Sequence, residues 1–203
     1  MKSLWVTDRG ACGAERFDAL LDALAGAPDL TVELREKSAS DLACLELARR
    51  ARATLGPCVA LTVNRRFDIA LAAGADGVHL PADGLPVGRV RANTPRGFRV
   101  GVSTHSPEEA ARAIEEGADL VVIGPIFDTP GKRAFGPPLG PRALDRLPPL
   151  SEHATDVYAI GGIGDENLPE IARRKDRVSG VAAIRLFQDA ADPRAAVVRI
   201  SKL

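Results

Sequence analysis

The sequence predicts a single-domain (β/α)8 barrel over residues 1–203, and three observations carry that expectation. Eight short apolar runs recur along the chain at a spacing of about 25 residues, each followed by a segment with helix-spaced apolar residues or helix start signals. The runs are apolar throughout rather than alternating, as expected of strands buried on both faces and joined in parallel by right-handed helical crossovers. A chain of 203 residues suits one large core and lies at the small end for eight such units closed on themselves. A doubly wound open sheet is the alternative. It is weakened because Gly161-Gly162-Ile163-Gly164 follows the seventh strand and lacks the GxGxxG spacing that a dinucleotide fold carries after its first.

Taken in order, Leu4 to Thr7 reads as the first strand and Arg16 to Leu24 as an amphipathic helix. Leu30 to Leu34 is the second strand, and Ser38 or Ser40 can cap a helix through Leu42, Leu45 and Ala51 to a stop at Gly56-Pro57. Val59 to Val63 is the third strand, then Phe67 to Ala73 a short helix. Gly77 to Leu80 is a clipped fourth strand, followed by a helix through Val87 and Val90. Phe98 to Val102 is the fifth strand; Ser106-Pro107-Glu108-Glu109 then supplies a cap, an N1 proline and an acidic first turn to a helix ending at Gly117. Leu120 to Ile123, Val157 to Ile160 and Val178 to Ile184 complete the strands, with helices at Pro141 to Leu147, Asn167 to Arg174 and Pro193 to Ile200.

Lys and Arg number 27, as do Asp and Glu, so no net field favours nucleic acid or an anionic membrane surface. Three cysteines at no metal spacing read as reduced, mostly packed thiols, and the acidic residue at position 8 interrupts any signal peptide. A cytoplasmic protein is the expectation, with oligomeric state left open. The final Ser201-Lys202-Leu203 spells a peroxisomal address, a match that three residues reach easily by chance.

The stretch from Asp119 to Gly140 has the layout of a site: a buried strand passes into a long loop dense in Gly and Pro, with Lys132 at its tip. A loop lysine is ordinarily a solvated surface residue. This chain, however, has only five lysines against many arginines, and a compact, movable ammonium after a core strand is a useful anion contact. In such a barrel the active site lies at the C-terminal strand ends, which carry Glu33, Arg35, Lys37, Asn64, Arg65, His79, Asp83, Ser103, His105, Thr129, Lys132, Gly161, Gly162 and Arg185. Any one cation there can be a rim salt bridge. Five on the rim of a neutral protein suit a phosphate or diphosphate ligand. His79 reads equally as a hydrogen-bonded structural imidazole or a ligand contact, and His153 as a surface residue.

Six segments together resemble the thiamine-phosphate synthases and their relatives, the thiazole tautomerases. They are Val32 to Lys37, Asn64 to Ala70, Gly74 to Leu80, Gly101 to Ser106, Gly124 to Lys132, and Ala159 to Ile163, in order and at matching spacing. The resemblance implies small phosphorylated pyrimidine and thiazole substrates: a hydroxymethylpyrimidine diphosphate loses pyrophosphate and a thiazole phosphate nitrogen captures the resulting cation. It implies pyrophosphate contacts at Arg35, Lys37, Ser103 and Lys132, pyrimidine contact at Asn64, and thiazole-phosphate contact through the backbone of Gly161 and Gly162.

The departures are specific. The family pattern has metal-binding aspartates after the third and fourth strands, where this chain has Arg65 and Gly84; Asp83, one position early, is the remaining candidate metal ligand. The usual glutamine after the second strand is Glu33, and the serine near the end of the eighth is Arg185. The resemblance thus implies magnesium while the loss of both carboxylates counts against it. The same losses lean toward the metal-independent tautomerase, for which His105 matches one catalytic histidine and Pro125 replaces the other; the Lys132 segment leans back to the synthase. A non-catalytic phosphate-ligand binder is the third reading.

Overall fold

The computed structural model describes residues 1–129 and 136–203. Eight parallel strands form a closed barrel in sequence order: β1 Lys2–Val6, β2 Leu30–Leu34, β3 Ala60–Asn64, β4 Gly77–Leu80, β5 Arg99–Thr104, β6 Leu120–Ile123, β7 Asp156–Ile160 and β8 Gly180–Ala183. Around it lie α1 Arg9–Cys12, α2 Ala14–Leu24, α3 Asp41–Leu55, α4 Phe67–Ala72, α5 Val87–Arg91, α6 Pro107–Glu115, α7 Leu168–Ala172, α8 Arg185–Gln188 and α9 Pro193–Ser201, with a 3-10 segment at Pro141–Arg146. The helix signals act as expected: Ser40 accepts from the Ala43 amide at 3.3 Å, and Ser106 accepts from the Glu109 amide at 3.1 Å. The barrel is the predicted one, and the open sheet is excluded by the pairing of β1 with β8.

Three details differ from the sequence reading. The short helices α1 and α8 carry too few residues to show a 3.6-residue period. Strand β8 is shorter than the apolar run that suggested it, whereas β5 extends to Thr104 and takes Ser103 into the sheet. His153 is half-buried rather than at the surface, and both its ring nitrogens are covered without a partner among the described residues.

Because side chains alternate across each strand, the inward set follows from the register. Leu4, Val6, Leu120, Val122, Tyr158 and Ala182, with Ile160 and Ile184, form an apolar cluster inside the barrel, separate from the larger core between barrel and helices. The N-terminal end of the interior holds an ion cluster: Asp156 accepts from Lys2 Nζ at 2.7 Å and from Arg99 Nη2 at 3.1 Å. Just above it, burial pushes the Tyr158 phenol above its usual range, and the Asp156 charge adds to the shift. This end is therefore lined by paired charge.

The repeated Gly-Ala-Asp sequences are part of that stable face. Asp76 accepts from the Leu61 amide at 2.7 Å and from Arg52 at 2.7 Å; Asp119 does the same with the Val100 amide at 2.7 Å and Arg91 at 2.6 Å. Gly74 and Gly117 precede them with φ of 67° and 81°, closing the helices so that each carboxylate meets the strand before it.

Candidate active site

At the C-terminal end the barrel interior divides into two halves. Strands β6, β7 and β1 present Val122, Ile160 and Val6, and Ile184 follows directly after β8. Strands β2 to β5 present Glu33, Asn64, His79 and Ser103, a connected polar chain. Glu33 Oε1 accepts from Asn64 Nδ2 at 2.9 Å, Glu33 Oε2 lies 4.0 Å from His79 Nε2, and that nitrogen is 2.8 Å from Ser103 Oγ. Glu33 is 3% exposed and His79 1%. His79 Nδ1 faces Gly101, where a Cβ would come within 2.6 Å of it, and Nδ1 has no partner among the described residues. Four residues from four strands thus meet in one row, Glu33 and His79 buried and Asn64 and Ser103 half-buried.

The rim above is held by backbone contacts. Arg35, half-buried, donates its amide to Thr7 Oγ1 at 3.0 Å, which fixes the exit of β2; Lys37 is exposed two residues on. His105 Nδ1 lies 2.9 Å from the Gly124 carbonyl, and its amide donates to Glu109 Oε2 at 2.7 Å. A carbonyl only accepts, so Nδ1 carries the proton and Nε2 of the neutral ring is left as a base. The next peptide, Gly124–Pro125, is cis. Thr129 donates to the Phe127 carbonyl at 3.2 Å, closing a local turn. Lys132 lies outside the described residues.

Gly161 and Gly162 adopt φ of 100° and 62°, backbone that side chains disfavour. A Cβ on Gly161 would lie 2.6 Å from Pro125 Cα, and one on Gly162 would lie 2.6 Å from the Asp128 carbonyl oxygen. The loop after β7 is therefore packed closely against the loop after β6, with no room for a side chain at either glycine. Arg185 opens α8 and is exposed, so the position after β8 carries a guanidinium at the rim.

Magnesium requires a set of hard oxygen ligands. Arg65 instead donates to Asp83 Oδ1 at 3.2 Å, in an exposed ion pair, and takes a left-handed backbone at φ 63° while its amide continues the ladder to the His79 carbonyl. Among the described residues no group of three or more His, Cys, Asp or Glu side chains is placed to hold an ion. These residues do not fit magnesium. Asp83 in particular faces a cation rather than a metal position.

Glu36, between Arg35 and Lys37, was not among the residues singled out from sequence. Its Oε1 is buried without a partner among the described residues, and burial raises its pKa, opposed by Arg9 and reinforced by Asp8. A carboxyl with a higher pKa folded than unfolded opposes folding when ionised. That penalty is absent below the unfolded value of about 4.3 and is full above the folded value. Glu36→Gln is expected to stabilise the protein at pH 7 by about 0.5 to 1 kcal/mol, with the gain vanishing near pH 4. Urea unfolding at the two pH values checks the sign.

A closed parallel barrel with a polar row inside its C-terminal mouth and Arg35, Lys37, Arg65 and Arg185 just past its strands is a (β/α)8 protein. The family model described as thiamine monophosphate synthase matches residues 4–187. A thiamine-phosphate synthase of Methanoregula boonei is 39% identical over 185 residues, covering 89% of this chain and 84% of the relative. One of Chloroflexus aurantiacus is 35% identical over 200 residues, covering 98% and 90%. The solved structure of a thiamine phosphate pyrophosphorylase from Pyrococcus furiosus superposes with a TM-score of 0.82 at 28% identity, covering 99% of this chain and 94% of that one. This chain belongs to the thiamine monophosphate synthase family.

Proposed function

We propose that this chain catalyses thiamine-phosphate synthesis in thiamine biosynthesis: transfer of a hydroxymethylpyrimidine group from its diphosphate to the nitrogen of a thiazole phosphate, with release of pyrophosphate. The observation that carries the reading is the divided barrel mouth. A flat heteroaromatic ring suits a pocket with an apolar wall of Val6, Val122, Ile160 and Ile184 opposite hydrogen-bonding groups at Glu33, Asn64, His79 and Ser103. We assign Arg35, Lys37, Arg65, Lys132 and Arg185 to the diphosphate, and the backbone of Gly161 and Gly162 to the thiazole phosphate. Thr129 and His105 line the intervening rim. The reaction needs no proton transfer: the C–O bond to the diphosphate breaks with its electron pair, and the thiazole nitrogen lone pair forms the new C–N bond.

One feature favours a second reading. His105, held by Gly124 with Nε2 as a free base, is equipped to move a proton on a thiazole carboxylate phosphate, as a tautomerase does. The residue at the partner position is Pro125, which cannot act as an acid or base, so the synthase reading is preferred. Incubation with both synthase substrates, with and without magnesium, is expected to yield thiamine phosphate and pyrophosphate in equal amounts. Accumulation of product only from the thiazole carboxylate tautomer would establish the second reading, and binding without turnover under every condition would leave a phosphate-ligand binder.

A further inference from the structure

We infer that the Glu33 carboxylate acts as the counter-charge for the pyrimidinyl-methyl cation formed when pyrophosphate departs, an inference that rests on the proposed synthase reaction. Glu33 is a carboxylate 3% exposed inside the barrel mouth. Burying such a group is costly unless positive charge or donors face it. Its hydrogen bond among the described residues is with the neutral amide of Asn64, and its ion-pair contact is with His79 at 4.0 Å, cationic only when that ring is protonated. The fixed cations of this end stand on the rim, beyond the strand ends: Arg35 follows Glu33 by two residues on the same chain segment.

Charge is therefore ordered along β2, with an anion inside and cations at the exit. A substrate placed with its diphosphate at the rim and its ring in the pocket sends the departing electron pair outward, toward Arg35 and Lys37. The positive charge left on the methylene carbon and spread over the ring develops over Glu33. In a site shielded from water a preorganised opposite charge acts selectively on the ionised state, because the neutral ring gains little from it. The cation is then consumed when the thiazole nitrogen donates its lone pair.

The test compares two probes that differ in charge at the reacting carbon: the hydroxymethylpyrimidine alcohol and its aminomethyl counterpart, which is an ammonium at pH 7. In the absence of pyrophosphate, calorimetry is expected to show the wild-type protein binding the ammonium at least tenfold more tightly, and Glu33→Gln losing that preference. In turnover, Glu33→Gln is expected to lower kcat roughly 10- to 100-fold with KM for the thiazole phosphate within about twofold, while Glu33→Asp recovers part of the loss. Equal binding of the two probes by the wild type overturns the inference, and needs no variant to fold. So does a preference that survives in Glu33→Gln. If the wild type makes thiamine phosphate yet shows no charge preference, only this inference falls; if it makes none from the authentic substrates, the synthase reading falls first.

Discussion

Replacing Lys132 with alanine is expected to lower synthase turnover by roughly 100- to 1,000-fold, the scale set by losing one preorganised charge-stabilising donor. Lys132 lies outside the described residues, but both flanks of its segment are pinned to the same rim. The Leu139 amide donates to the Pro125 carbonyl at 2.8 Å, and the Gly140 amide to the Ile126 carbonyl at 3.0 Å. The Ile126 amide in turn donates to the Ile160 carbonyl at 2.8 Å, and Phe127 to Gly161 at 2.9 Å, so the loop's base is tied to the end of β7. A lysine in that loop is retained in a chain that elsewhere prefers arginine. A compact ammonium concentrates charge on a departing diphosphate in a way a planar guanidinium does not. Steady-state assay with both substrates checks this, and unchanged turnover would return Lys132 to the ordinary solvated surface.

The second large effect is expected from Arg65→Asp. In the wild type this guanidinium shares the rim with Asp83, and it is assigned to the diphosphate where relatives by resemblance carry a metal carboxylate. Removing a charged donor is expected to weaken binding of inorganic pyrophosphate by roughly 10- to 100-fold in the absence of magnesium. The variant also leaves two carboxylates facing one another, so magnesium is expected to restore binding that it does not affect in the wild type. Aspartate is the suitable replacement because it tolerates the left-handed backbone at φ 63° better than most side chains. Restoring the other aspartate of the family pattern at Gly84 is less suitable, since a Cβ there would lie 2.9 Å from the Pro81 carbonyl oxygen. Titration calorimetry with pyrophosphate, run with and without magnesium, decides the matter; a wild type whose affinity rises with magnesium would contradict the assignment of Arg65.

The ladder of eight strands was legible because each is an unbroken apolar run, and burial on both faces leaves few other ways to use such runs. Ser40, Ser106 and Pro107 were legible for a local reason, since a cap acts within one turn of its own position. Helices α1 and α8 were not, being a single turn each. The nearness of Glu33, Asn64, His79 and Ser103 to the C-terminal strand ends followed from their places in the apolar runs. That they meet in one polar row did not, because contact between them depends on the stagger of four strands rather than on any spacing along the chain. Glu33 in particular looked from sequence like a simple departure from glutamine, and became a buried carboxylate beside Asn64 and His79 only once β2, β3 and β4 were in register.

By itself the sequence determined the number and order of strands and the family resemblance, since these depend on local hydrophobicity, turn chemistry and ordered motifs. Only the tertiary structure decided that Asp83 answers Arg65, that the N-terminal end of the interior holds the paired charges of Lys2, Arg99 and Asp156, and that one half of the mouth is polar and the other apolar. The physical reason is the closure of the sheet. A residue's inward or outward face is set by alternation within its own strand, but its neighbours across the barrel are set by the register of strands tens of residues away.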